Sequence, residues 1–269
     1  MKSAEKYLRA FLLGLQNAME YRANFVLLIL STVSPIFIQV FLWIGIFQGS
    51  GGTPVFGYTF RQMIAYTVMA NIIGRLVRTG FEYEMNDDIK NGGLNKYIVR
   101  PIGYFSYRLS CFLGQKAFQS AIMLVILIGV TIYLSIVMGL PIGTGRTALF
   151  CLALSLAFVL NYIIFFCVGT TAFWLLEIGF LFEAVRIVFI AMSGGIFPLD
   201  VFGPGVRRIL DLLPFKYTVQ YPVNILTGRL DIGAVWQGIG IQVLWVVAGS
   251  LAARWLWRKG TRRYVAVGG

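Results

Sequence analysis

The chain of 269 residues contains no histidine and only 11 aspartates and glutamates. Without histidine the commonest metal ligand and the commonest general base near neutral pH are missing. Cysteine is scarce too: Cys111, Cys151 and Cys167 all sit in apolar runs. They lack the C-x-x-C spacing of redox or metal sites and read as small buried hydrophobes. No G-x-x-x-x-G-K-[ST] stretch occurs; Gly114-Gln115-Lys116 has no upstream glycine at the required distance. The chain therefore lacks the loop that cradles nucleotide phosphates in P-loop proteins. The start, MKSAEKYLRAFLLGLQNAMEYR, is too charged and too spread out to read as a signal peptide.

What the chain does have is apolar length. Apolar residues make up 58% and charged residues 13%, against roughly 45–50% and 25% in soluble domains. That shift predicts an all-α polytopic membrane protein forming one transmembrane domain, with room for six spans of about 20 residues and none for a separate soluble domain. The net charge of +12 does not point to nucleic acid, because the bases flank apolar segments instead of forming a basic domain. Most of them fall before the first span, between spans two and three, or after the last. By the positive-inside rule both termini are expected in the cytosol.

In order, residues 1–22 read as an amphipathic interfacial helix with Leu8, Leu12, Leu15 and Met19 on one face. The expected spans are 24–47, 60–77, 109–138, 149–176, 182–197 and 233–256. Pro35 is expected to kink the first. A Gly-rich turn at 48–59 and the linker 139–146 join neighbours.

The longest polar interruption is 79–108. Its helical start, 82–89, meets a strong stop at Asn91-Gly92-Gly93. A short helix resumes at Leu94, and Arg100-Pro101 ends it. Ile89, Leu94, Tyr97, Ile98 and Val99 keep an apolar face that a solvated loop has no reason to keep. A second irregular segment, 198–231, is broken by Pro198, Pro204 and Pro214 into pieces too short to span, yet is as apolar as ILDLLPF. Irregular backbone at membrane depth persists only when packed in protein or lining water. This segment is expected to form outer, re-entrant helices.

The run NDDIKNGGLNKYIVRPIGYF resembles the stretch after the second span in permeases of the type-2 ATP-binding-cassette exporter family. Asp88, Ile89, Lys90, Gly93, Leu94, Arg100 and Pro101 fit its acidic-Ile-basic-x-Gly-x-Leu core and the Arg-Pro that follows. Residues 193–228 resemble the family's signature after the fifth span, through Ser193, Gly194, Phe197, Pro198, Leu199, Leu213, Pro214, Phe215, Pro222 and Gly228. The resemblance implies a coupling helix seated on an ATPase subunit, using Asp87, Asp88, Ile89, Lys90, Gly93, Leu94, Tyr97, Arg100 and Pro101. It implies an outer gate at Ser193, Gly194, Phe197, Pro198, Leu213, Pro214 and Phe215. It also implies a permease without catalytic residues of its own, with ATP and Mg bound by the partner ATPase. A second six-span permease is expected beside it, more readily a different chain than a second copy. The setting would be a bacterial or archaeal plasma membrane, with membrane lipids around it.

Asn71, Glu177, Glu183 and Arg186 are candidates for substrate contact or for helix pairing. Glu183 and Arg186, three residues apart, are expected to neutralise each other. The alternative is that Glu177 or Glu183 draws a cationic amphiphile from the inner leaflet. Two other readings stay open at this point. An ion-coupled secondary transporter would show acids at mid-membrane and inverted repeats. A membrane-embedded transferase would have to work with Asp200, Asp211 and Asp231.

Overall fold

The computed structural model describes residues 3–20, 24–98, 103–139, 143–175 and 178–264. Among them the secondary structure is helical, apart from one isolated bridge between Val55 and Tyr58 in the 50–58 turn. The helices are α1 (Ser3–Glu20), α2 (Asn24–Gly49), α3 (Phe60–Val77), α4 (Phe81–Lys90), α5 (Asn95–Ile98), α6 (Tyr104–Met138), α7 (Thr144–Thr170), α8 (Gly179–Met192), α9 (Gly203–Leu212), α10 (Gln220–Leu226) and α11 (Ile232–Thr261), with 3-10 turns at Thr171–Phe173, Leu199–Phe202 and Phe215–Thr218.

Among the described residues, four helical stretches are long and apolar enough to cross a membrane: Leu30–Gly49, Tyr104–Val137, Thr144–Phe173 and Ile232–Thr261. The other two expected spans are helices as well, but α8 has 14 residues and α3 has 18. Roughly 20 apolar residues are needed for an upright crossing. The polarity of α3 has a physical reason. Met63, Tyr66, Met69 and Ile73 are all fully buried, and other helices cover α3 on most sides. Its polar side chains are matched by neighbours: Trp43 donates to the Thr67 hydroxyl at 3.1 Å, and Asn71 donates to Gln39 at 2.7 Å. A helix hidden from lipid need not be uniformly apolar.

The boundaries shift from expectation: the fourth span is Thr144–Thr170 instead of 149–176, and the last runs to Thr261 instead of 256. The third span starts at Tyr104 instead of 109, which places Arg108 inside α6, buried. The fifth ends at Met192, so Phe197 lies beyond it. The segment 198–231 breaks into the short pieces its prolines demand.

Helix α1 packs along α6 through small residues. A Cβ added at Gly14 would run into the carbonyl oxygen of Cys111, and one at Gly114 into that of Phe11. Ala10 and Ser110 stand four residues before these glycines, so both helices carry a small-xxx-small stripe that lets backbones meet. Leu8, Leu12 and Met19 are left outward, 58%, 46% and 55% exposed. The apolar face expected to meet the membrane is thus free of the rest of the chain, while the contact with α6 lay in glycines that hydrophobic periodicity does not register.

Candidate functional site

Chain polarity concentrates at three places: beneath α4, around the 193–220 segment, and in a cavity between them.

Helix α4 starts after a break at Arg78–Gly80, where Arg78 has extended ψ. Its underside is fixed by two buried cation sites. Arg186 of α8 donates to Glu82, which is completely buried, and to the Thr79 carbonyl at 3.3 Å. Arg108 of α6 donates to Glu84 and Asp88, and its Nε donates to the Tyr104 hydroxyl at 3.1 Å. Tyr104 in turn donates to Asp88 at 2.9 Å and stacks on Trp257 of α11 at 4.7 Å, nearly parallel. Phe81 stacks on Tyr162 of α7 at 4.4 Å. Burial holds the Glu82 carboxyl above its ordinary range, partly offset by a backbone hydrogen bond and by Arg186.

The turn after α4 closes on Asp88. Leu94 N–H donates to the Asp88 carbonyl at 2.9 Å, and Gly92 has a φ of +71°. Gly93 is required by space: a Cβ there would sit 2.6 Å from the Asp88 carboxylate. The residues expected to couple therefore separate into two groups. Asp88, Ile89 and Leu94 are buried within this chain; Asp87 and Asn91 are exposed, and Lys90, Gly92, Gly93 and Tyr97 are half-buried. The apolar face noted in the sequence is Ile89 and Leu94 packed inward with Phe81, Met85 and Tyr104. Arg100 and Pro101 lie outside the described residues, as does Val99; the side chain of Ile98 does too.

At the other end, Ser193 caps α8 and is buried, its carbonyl accepting from Gln220 N–H at 3.0 Å. Gly194 adopts φ +78°, its carbonyl accepts from the Tyr66 hydroxyl at 2.6 Å, and a Cβ there would meet Tyr66 and Gln220. Here glycine is demanded by both conformation and space. Phe197 meets Trp43 edge-on at 5.8 Å and Phe215 meets Phe189 at 5.6 Å. Pro198 is buried, and Leu213 and Pro214, half-buried, lead into the Phe215–Thr218 turn. The centre of this region is Asp200, which accepts from Tyr58 at 2.9 Å, from Arg207 at 2.6 Å and from Gln220 at 3.2 Å. The Arg229 guanidinium lies 3.6 Å over the Tyr58 ring.

Between these regions lies a cavity of ≈ 320 Å³ bounded by α2, α3, α7, α8 and the start of the outer segment. Arg75, Arg78 and Arg186 line one part of it, and Ser193, Gly195 and Val219 also line it. Pro35 is on its wall; proline at this position deprives the Ser31 carbonyl of its helical donor, and Arg75 donates to the Ser31 hydroxyl nearby. A second, wider hollow of ≈ 560 Å³ shares Ser31, Arg75 and Arg78 with the first and reaches Lys116 and Gln119.

The expected pairing of Glu183 with Arg186 is corrected: Arg186 belongs to Glu82, and Glu183 accepts from the Tyr83 hydroxyl. The neighbours three residues apart lose to a partner 104 positions away because α4 lies across α8. Glu177 lies outside the described residues. Asn71 pairs helices and also lines the cavity. Of the carboxylates a transferase would need, Asp200 is engaged as above, Asp211 pairs with Lys216 at 2.5 Å, and Asp231 caps α11. Sequence reasoning used Arg75 and Arg78 only to orient the chain and missed them as cavity residues. Their spacing of three, on one side of a helix end, was the available signal.

The family described as ABC-2 family transporter protein matches residues 33–268, nearly the whole chain, and the chain belongs to that family. It is an ABC-2 type permease subunit, the membrane component of a transporter. A comparison with curated proteins found none that matches.

Proposed function

We propose that the chain is the pathway-forming subunit of an ATP-driven exporter that moves an amphipathic, drug-like or lipid-like solute out of the cytosol or the inner leaflet. In this reading it crosses a bacterial or archaeal plasma membrane six times, α3 and α8 included, with both termini in the cytosol. Separate ATPase subunits bind ATP and Mg, and family membership implies that partner. A second permease, more readily a different chain, completes the pathway.

One observation carries the proposal. Along the rim of the α4–α5 turn Asp87 and Asn91 face outward and Lys90 and Gly92 are half-buried. The underside is fixed to α6 through Arg108, to α7 through Tyr162 and to α8 through Arg186, and Tyr104 of α6 extends it to Trp257 of α11. Tyr264, beyond α11, adds a hydrogen bond to Asn95 at 3.2 Å. A push on the rim cannot be absorbed locally, because every member of the underside is packed or hydrogen-bonded. It is passed to the helices that bound the cavity. The grip falls on Asp87, Lys90, Asn91 and Gly92, and Asp88 serves inside as the anchor of the turn.

Co-purification in mild detergent, with mass spectrometry of the partners, tests this. Recovery of an ATPase and a second six-span chain is the expected result. Asp87→Lys is expected to abolish stimulation of the ATPase by the permease while leaving the fold intact. Recovery of no ATPase would overturn the reading.

A further inference from the structure

Cations outnumber anions around the central cavity. Among the described residues, its lining includes Arg75, Arg78 and Arg186 and no carboxylate. The adjoining hollow adds Lys116, with Glu84 as its acid. Of the nearby carboxylates among the described residues, Glu82 neutralises Arg186 itself, while Glu84 is engaged by Arg108 and Glu183 by the Tyr83 hydroxyl. Arg75, Arg78 and Lys116 have no carboxylate within ion-pair distance among the described residues.

Three polar atoms of the lining residues are buried and make no hydrogen bond: Nε of Arg75, Nε of Arg186 and Oδ1 of Asn161. Arg186 is 5% and Asn161 1% exposed. So enclosed, these atoms do not face the open space; what the hollow offers an occupant is Arg75 and Arg78, which line it without a carboxylate partner among the described residues. Guanidinium N–H donors ask for an anionic acceptor. Part of the remaining wall, including Phe165, Phe189, Ile190 and Val219, is apolar, and Ser31, Gln39, Asn71 and Ser193 add neutral polar groups. The volume is at the lower end of the range typical of small-molecule sites.

We infer that this cavity binds an amphiphile with an anionic, phosphate-like head group. The head group is held by Arg75 and Arg78, and the apolar part lies against Phe165 and Phe189. That the bound molecule is cargo rests on the exporter reading above; that it binds does not. The inference departs from the cationic solute considered from the sequence: of the two acids invoked for it, Glu183 already has a partner and Glu177 lies outside the described residues.

The test uses the full chain in zwitterionic nanodiscs and the displacement of a fluorescent phosphatidylglycerol. The competitors are dioctanoyl phosphatidylglycerol, dioctanoyl phosphatidylcholine and inorganic phosphate. The anionic lipid is expected to compete at least about tenfold better than the zwitterionic one, less so as salt rises. Arg75→Gln and Arg78→Gln are each expected to weaken it about tenfold, whereas Arg258→Gln, on the exposed face of α11, changes nothing. Arg78 lies exposed at a helix end, so its variant keeps the test decisive even if Arg75→Gln misfolds. Equal competition by the two lipids overturns the inference, as do cavity variants that bind like wild type, the behaviour of lipid around the rim. Phosphate competing as well as the lipid would reduce the site to a bare anion site and overturn the amphiphile. Arginine-dependent lipid binding without a co-purifying ATPase would support the site and sink the exporter reading; an ATPase with no lipid preference would do the reverse.

Discussion

The α4 end and the 193–220 end of the molecule, inner and outer in the orientation proposed above, are each held by a carboxylate network, but the two are built on different physics. Inside, Glu82 is 0% and Arg186 6% exposed at the side chain, with Asp88 and Arg108 near 10%. Outside, Asp200 is 11% exposed, but its cation, Arg207, is 51% exposed. A buried pair has already lost its water, so removing one partner strands the other as an uncompensated charge. A pair with one partner in water loses little when it opens. The inner network therefore suits rigid transmission from α4 to the helices it touches. The outer one suits a closure that can be opened: Tyr58 and Gln220 fix where Asp200 sits, and the exposed Arg207 can release it at little cost.

The most direct way to break this comparison is at Arg186. Arg186→Ala is expected to cost about 3–5 kcal/mol by leaving Glu82 buried and unpaired, seen as a large fall in the unfolding midpoint in detergent. Replacing both partners by leucine should recover most of the loss, because a matched apolar pair carries no stranded charge. If the single and double variants lose equally, packing and not charge governs the inner end. Asp200→Ala comes next. It leaves the fully buried Tyr58 hydroxyl and the Gln220 amide without their acceptor, at about 1–3 kcal/mol by the same measurement. A loss as large as that of Arg186→Ala would erase the distinction between the two ends.

A third and smaller effect is pH dependence at the inner end. Glu82 has its carboxyl raised, burial outweighing the backbone and Arg186. The folded chain therefore holds that proton at pH values where the unfolded chain has released it. Stability should fall as pH climbs from the ordinary carboxyl value of 4.5 through the raised one, and level off above it. In Glu82→Gln that part of the slope should vanish, which unfolding midpoints across a pH series would reveal.

How far these ends could be read from the sequence differs in the same way. The outer segment was legible because its signals are local. Pro198, Pro204 and Pro214 break helices wherever they stand, and Gly194 marks a φ that other residues resist. The turn at Asn91-Gly92-Gly93 was legible for the same reason. The inner pairings were not. Glu82 meets Arg186 across 104 positions, and Tyr104 meets Trp257 across a still longer gap. Local reasoning favoured Glu183 for Arg186, since neighbours at i, i+3 share a helix face. The crossing of α4 over α8 overrode it. Asp88 illustrates the cost of treating a motif as a surface: beside Asp87 in sequence, it faces the opposite way, because successive helical residues are turned by about 100°. Helix α3 misled composition in the other direction, since a helix sheltered by its neighbours may carry asparagine and arginine without leaving the bundle.

The smallest expected effect is the most discriminating for the outer end. Arg207 reaches Asp200 at 2.6 Å and Asp211 at 3.7 Å, yet half of its side chain is in water. Arg207→Ala should therefore change stability by under about 1 kcal/mol, and less still in high salt. If Asp200 is the hinge of a closure, the change should appear in motion instead. Hydrogen exchange at 199–212 should quicken in Arg207→Ala, because the 3-10 turn and α9 lose a clamp, while exchange at α4 stays as in wild type. Equal quickening at both ends would mean that the outer network is coupled to the inner one as tightly as the inner one is to itself. Slow exchange at both would mean that Tyr58 and Gln220 alone hold Asp200, and that the exposed arginine only decorates it.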